Sequence, residues 1–184
     1  MDAASSEFYK EGKYYIDGKI LSNFELADYY EELSKKYPII SIEDAFAEKD
    51  HEGFANITKK LGKSMQIVGD DLFCTNIELL KIGVKEKLAN ALLVKLNQIG
   101  TITETLEAMD YATRNGFNCI ASHRSGESED VTIAHLAVAT NCGQIKTGSL
   151  ARTDRTAKYN ELLRIERILG SSASFIGKNT FYKF

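Results

Sequence analysis

Ala91-Leu92-Leu93-Val94-Lys95 is a short apolar run closed by a lysine, and soon after it Thr101-Ile102-Thr103-Glu104 fits a capping box that opens a helix. A run of this length with no alternation reads as a strand buried on both faces. The same unit recurs along the chain. Pro38–Glu43, Gln66–Asp70, Phe117–His123 and Gln144–Lys146 are further apolar runs, each ending in an ionisable residue. Thr75-Asn76-Ile77-Glu78 repeats the capping-box pattern after the second of them, and Ser22-Asn23-Phe24-Glu25 places an earlier helix with Leu26, Tyr30, Leu33 and Tyr37 on one face. Ile102, Leu106 and Met109 form an apolar stripe able to cover a sheet. A last helix from about Thr153 is expected to bury Tyr159, Leu162 and Leu163 and to carry a solvated basic face. The strand-final residues Glu43, Asp70, Lys95, His123 and Lys146 lie 23 to 28 residues apart, about one βα unit each. Such alternation predicts an α/β fold of parallel strands with helical crossovers, in the manner of a βα barrel.

Composition narrows the function classes. The 184 residues carry 23 basic and 26 acidic side chains, a formal net charge of −3. Hydrophobic residues at 43% and charged residues at 27% suit a globular chain and not a disordered one. A mildly acidic balance gives no general drive towards nucleic acid or an anionic membrane. No apolar run approaches the roughly 20 residues that span a bilayer, and Met1–Lys10 lacks a signal-peptide core. Cys74, Cys119 and Cys142 are widely spaced and read as buried thiols of a reducing cytoplasm. One proline, Pro38, and no low-complexity stretch leave no linker to mark a domain boundary.

In a βα barrel the C-terminal ends of the strands converge on one face, where chemistry sits. Five strand ends in register would aim five ionisable groups at one place. Glu43 and Asp70 are hard oxygen donors suited to Mg²⁺, with Lys95 and Lys146 facing them from the far side of the ring. A lysine serves as a base only if its pKa falls, and a nearby cation pushes that way. The alternative is a ring of salt bridges plugging the barrel mouth.

The runs Ser41-Ile42-Glu43-Asp44, Val68-Gly69-Asp70-Asp71-Leu72, Val94-Lys95-Leu96-Asn97-Gln98-Ile99-Gly100, Ser122-His123-Arg124-Ser125-Gly126-Glu127 and Gln144-Ile145-Lys146-Thr147-Gly148 closely resemble enolase of the bacterial type. So do the opening Asp2–Tyr9 and the late run Arg155–Asn160, whereas residues 170–184 carry little family signal and read as a variable C-terminal tail. The resemblance implies a partial TIM-type (β/α) barrel, the enolase C-terminal domain, with about five βα units within residues 1–184. It implies a lyase of glycolysis, phosphopyruvate hydratase, that reversibly dehydrates 2-phosphoglycerate to phosphoenolpyruvate with Mg²⁺. By matching position, Asp2, Glu43 and Asp70 would be the metal ligands and Lys95 the general base that removes the C2 proton. Lys146 would contact the carboxylate side of the substrate, Arg124 and Ser125 its phosphate, and His123 would line the same pocket, with Asp44 and Asp71 in support. The family also implies a homodimer, and a cytoplasmic protein with a cell-surface or secreted pool in some members.

Against the family pattern this sequence starts late. Enolases are more than twice as long, with an N-terminal domain, earlier barrel strands and a glutamate general acid that have no counterpart here. Five strands alone would leave two open edges and an apolar interior facing water, so little turnover is expected of these residues by themselves. Two other readings compete. One is a different acid-abstracting enzyme of the enolase superfamily, which the phosphate-type segment Ser122–Glu127 disfavours. The other is a non-catalytic, plasminogen-type surface binder, whose terminal-lysine mode is blocked because Phe184 follows Lys183. Gly62-Lys63-Ser64 is similar to the end of a phosphate-binding loop, but Ile57 stands where that loop needs glycine. His51 and His135 lack metal-ligand spacing and read as surface or packing residues. The six tyrosines among the first 37 residues read the same way, since no basic groove accompanies them.

Overall fold

The computed structural model describes residues 1–181; the Lys183–Phe184 end considered above lies outside the described residues. After a 3-10 turn at Ser5–Phe8, the chain makes an antiparallel meander of β1 (Tyr9–Lys10), β2 (Lys13–Ile16) and β3 (Lys19–Leu21). Both of its turns, Glu11-Gly12 and Asp17-Gly18, have positive φ at the two central residues, as tight hairpins require. Sequence reasoning did not anticipate this meander, although Asp17-Gly18 between apolar pairs was a usable signal. It leads into α1 (Asn23–Lys36), which has the expected box: Ser22 accepts from the Glu25 amide, and the Glu25 carboxylate accepts from the Ser22 amide. Leu26, Ala27 and Tyr30 are buried, Leu33 is half-buried, and Tyr37 stands exposed. The helix ends before Tyr37, which takes an extended conformation ahead of Pro38.

From there strands and helices alternate: β4 (Ser41–Glu43), α2 (His51–Leu61), β5 (Gln66–Gly69), α3 (Ile77–Glu86), β6 (Ala91–Val94), a single turn α4 (Leu96–Ile99), α5 (Ile102–Arg114), β7 (Asn118–Ser122), α6 (Thr132–Ala139), β8 (Ile145–Lys146) and α7 (Thr153–Leu169). β4 to β8 form one parallel sheet in chain order, an arc of barrel as the spacing predicts. Residues 1–3 run parallel beside β4: the Glu43 amide donates to Met1 O at 2.8 Å, the Ala3 amide donates to Glu43 O at 2.9 Å, and Asp2 is bridged to Glu43.

The sheet is buried on both sides. Ile42, Ile67, Leu92, Val94 and Cys119 join the helices in the outer core, while Val68, Ala91, Leu93 and Ile120 pack together on the concave face. Two helices present faces other than those expected. α5 buries Thr105, Ala108, Met109 and Ala112, and leaves Ile102 54% and Leu106 43% exposed. α7 buries Asp154, Lys158 and Ile165, while Tyr159 and Leu162 are half-buried and Leu163 is exposed. α3 is capped by Asn76 and not by Thr75, which adopts a left-handed backbone. Of the three cysteines only Cys119 is buried; Cys74 and Cys142 are half-buried, and none is in a disulfide. Tyr14 and Tyr30 are core residues. His51 and His135 pair at the surface with Glu86 and Glu161. No helix among the described residues is long and apolar enough to cross a membrane.

Candidate active site

Strand parity decides which side chains meet at the C-terminal end of the sheet. Glu43, Asp70, Lys95 and Lys146 each stand an even number of residues from a concave-face position on their own strand: Ser41, Val68, Leu93 and Gln144. These four converge as the sequence predicts. The fifth, His123, lies in the loop one residue beyond Ser122, the β7 residue in register with Lys146, and is near enough to Lys146 to feel its charge.

Direct pairing replaces the expected separation of carboxylates and lysines across a ring. Lys146 Nζ donates to Glu43 Oε1 at 2.7 Å, to Glu43 Oε2 at 2.9 Å and to Asp2 Oδ2 at 3.0 Å. Lys95 Nζ donates to Asp70 Oδ2. Burial pushes the Glu43 carboxyl above its ordinary range against the pull of Lys146, and the charges of Asp2 and Asp70 push the same way. Glu43 therefore feels both other carboxylates. Burial alone would lower Lys146, but its bonds to Glu43 and Asp2 outweigh this and raise it, the reverse of what a base requires. Asp70 Oδ1 is buried with no hydrogen-bond partner among the described residues.

The supports of this cluster come from the loops. Asp44 has a left-handed backbone, and its two carboxylate oxygens accept from the amides of Asp70 (2.9 Å) and Asp71 (3.0 Å), tying the end of β4 to that of β5. Burial pushes its pKa up to about 7, against those two amides. Thr75, fully buried, accepts from the Lys95 amide at 2.9 Å through Oγ1 and so fixes the backbone that presents Lys95. Asp44 was expected as support; Thr75 was read only as part of a cap.

His123, Arg124 and Ser125 sit in the loop after β7, gathered by α7. Arg155 Nη1 donates to His123 Nδ1 at 2.7 Å and to Arg124 O at 3.0 Å, and Arg155 Nη2 donates to Ser125 O at 3.0 Å. Burial lowers the His123 pKa, partly offset by its bond to the Thr147 backbone. The Arg124 side chain is half-buried, with Nη1 at 3.5 Å from Asn97 Oδ1 on α4, and Ser125 is exposed. Sequence reasoning assigned no role to Arg155, although it lies in a run that carries the family resemblance.

Hard oxygens from Asp2, Glu43 and Asp70, among them Asp70 Oδ1 with no hydrogen-bond partner among the described residues, are the donor type that Mg²⁺ takes. Among the described residues, the three carboxylates that come within 4.8 Å of one another are Asp44, Asp70 and Asp71, and both oxygens of Asp44 are engaged by backbone amides. A cavity of about 250 Å³ opens on the concave face between Asp2, Glu43, Lys146 and the layer of Gln66 and Gln144. A larger one, about 560 Å³, lies behind the sheet between α5 and Thr140–Cys142. Its one carboxylate, Asp110, is paired with Arg114, so it offers none of this chemistry. Compared with known families, residues 1–184 match the model described as the enolase C-terminal TIM barrel domain.

Proposed function

The chain belongs to the enolase family, matching its C-terminal TIM barrel domain over residues 1–184, and on that premise we propose that it carries the proton-abstracting site for Mg²⁺-dependent dehydration of 2-phosphoglycerate to phosphoenolpyruvate. The observation that carries this reading is the strand-end cluster, where Lys95 stands on Asp70 beside the Asp2–Glu43–Lys146 group.

A proton next to a carboxylate is very weakly acidic, because its removal places a second negative charge on the same group. Mg²⁺ held by Asp2, Glu43 and Asp70 would supply fixed positive charge against that dianion without any proton transfer. Lys95 presents Nζ from the concave face and would take the C2 proton there. Lys146 is a point charge for the substrate carboxylate, whereas Arg124 offers a planar fork that can hold phosphate bidentately and fix register.

The test is exchange of the C2 proton of 2-phosphoglycerate in D₂O by the complete enzyme. Lys95→Ala should lower exchange by roughly 100- to 10,000-fold and leave Mg²⁺ affinity, read by calorimetry, close to wild type. Retained exchange would remove Lys95 from the role of base. Exchange on unphosphorylated glycerate at the same rate would point instead to another acid-abstracting enzyme of the superfamily.

A further inference from the structure

We propose that Arg155 is a positioning residue that sets both the backbone of the phosphate-gripping loop and the tautomer of His123. The inference rests on the reading of Arg124 and Ser125 as phosphate ligands given above.

One guanidinium engages three consecutive residues. Its Nη1 donates to His123 Nδ1 and Arg124 O, its Nη2 donates to Ser125 O, and its Nε lies 3.4 Å from Asp154 Oδ2. A guanidinium only donates, so His123 Nδ1 is bare and the ring proton of the neutral imidazole is on Nε2. The two carbonyls it draws in are acceptors that would repel an anion if they faced the pocket. Turned towards α7, they leave the side chains of Arg124 and Ser125 to meet a ligand. The Arg155 side chain itself is only 11% exposed, which suits a residue acting through its neighbours.

The surroundings are built for this clasp. Gly148 has φ +85°, and a Cβ there would meet Arg155 Cδ and His123 Cε1 at 3.0 Å each, so the close approach depends on glycine. One turn along α7, Lys158 is 1% exposed, and its Nζ donates to Ser128 O and, at 2.6 Å, to Asp154 O. That Nζ also lies 3.6 Å from Glu127 Oε1, while Glu127 Oε2 accepts from the Arg124 amide at 3.2 Å. Two cations at i and i+3 of one helix thus hold the loop at both ends.

Two measurements test this on the full chain. The first is the imidazole ¹⁵N spectrum near neutral pH, in which three histidines give few signals and His123→Gln assigns the relevant one. Wild type should show His123 with Nε2 protonated and Nδ1 bare, and Arg155→Met should raise the share of the Nδ1-protonated tautomer against the bond to the Thr147 backbone that remains. The second is binding of inorganic phosphate and of 2-phosphoglycerate with Mg²⁺ present, where Arg155→Met should raise Kd about tenfold or more. Arg155→Lys, which keeps the charge but not the fork, should recover only part of that loss.

Wild-type affinity in Arg155→Lys would show that charge alone matters and would overturn the positioning role. If Arg155→Met does not fold, the wild-type spectrum still decides, because a proton on Nδ1 contradicts the geometry. Phosphate bound by wild type and unaffected by Arg155→Met overturns this proposal alone. A wild type that binds neither phosphate probe overturns the reading of Arg124 and Ser125, and with it any role of Arg155 towards a ligand.

Discussion

Asp44 and Asp70 are both buried carboxylates in one acidic corner, yet their hydrogen bonds assign them different work. Asp44 spends both oxygens on the amides of Asp70 and Asp71, whereas Asp70 keeps Oδ1 without a partner among the described residues and gives Oδ2 to Lys95. Replacing Asp44 by alanine orphans two amides, each costing about 1–3 kcal/mol when left unmet. We expect Asp44→Ala to lower stability by about 2–4 kcal/mol in urea unfolding, and Asp44→Asn, which keeps one acceptor, to lose less than alanine does. Equal stability of Asp44→Ala and wild type would mean that water replaces the carboxylate. Much of this corner was legible in the sequence, because Glu43, Asp70, Lys95 and Lys146 needed only strand ends and parity to bring them together. His123 follows Ser122 in the loop, where Arg155 and the Thr147 backbone hold its ring, so strand parity does not decide its direction. Thr75, Arg155 and Lys158 escaped for a different reason. Each acts on backbone twenty to thirty-one residues away, and nothing in local periodicity shows such a partner.

Phe73 shows what holds an element to the sheet. It is fully buried, and glycines lie against its ring on two sides: a Cβ at Gly69 of β5 would meet it at 2.5 Å and one at Gly83 of α3 at 2.2 Å. Alanine in mid-helix is favoured over glycine by about 1 kcal/mol, but forcing a methyl into a filled core costs about 1–3 kcal/mol. With Phe117 packed at 6.1 Å on another side of Phe73, the ring has little room to yield. Overpacking should therefore win, and Gly83→Ala should lower the thermal midpoint. In the double variant with Phe73→Leu the same change should become neutral or stabilising; a loss that persisted there would place the clash elsewhere. The elements themselves were well anticipated, since all five strands lie within the apolar runs read from sequence. Which helix face is buried was anticipated for α1 but not for α5 and α7. α5 lays Thr105, Ala108 and Ala112 on the strands, small residues that allow close approach, while the more hydrophobic Ile102 and Leu106 stay outside. Ranking residues by hydrophobicity follows transfer from water and is blind to that spacing. The β1–β3 meander was missed because its strands are too short to show alternation.

Across the whole molecule the arc is tied by polar bonds on its concave side. Gln66 at the start of β5 donates through Nε2 to Ser41 Oγ (3.0 Å) and Gln144 Oε1 (3.1 Å). Its Oε1 accepts from Gln144 Nε2 (2.8 Å) and Asn118 Nδ2 (3.1 Å), and Asn118 Nδ2 also donates to Thr180 O at 3.1 Å. One buried amide thus links β4, β5, β7, the approach to β8 and the turn at Gly177–Phe181, a part of the tail that carried little signal in sequence. Lys146 makes a second tie from β8 back to β4 at the opposite end of the strands. Neither tie could be foreseen from local pattern, because each joins residues that only the curvature of the sheet brings together. Gln66→Leu keeps roughly the volume but leaves Gln144 and Ser41 without their partner and Asn118 with one of its two. The expected loss is about 2–4 kcal/mol, and its distribution is more telling than its size. If the amide network sets the position of β8, hydrogen exchange should quicken most at the Ala121 and His123 amides, which donate to Gln144 O and Lys146 O. Amides inside α3 should change less. A uniform loss of protection would show that Gln66 adds to global stability alone, and that Lys146 with its carboxylates is enough to hold the last strand against the first.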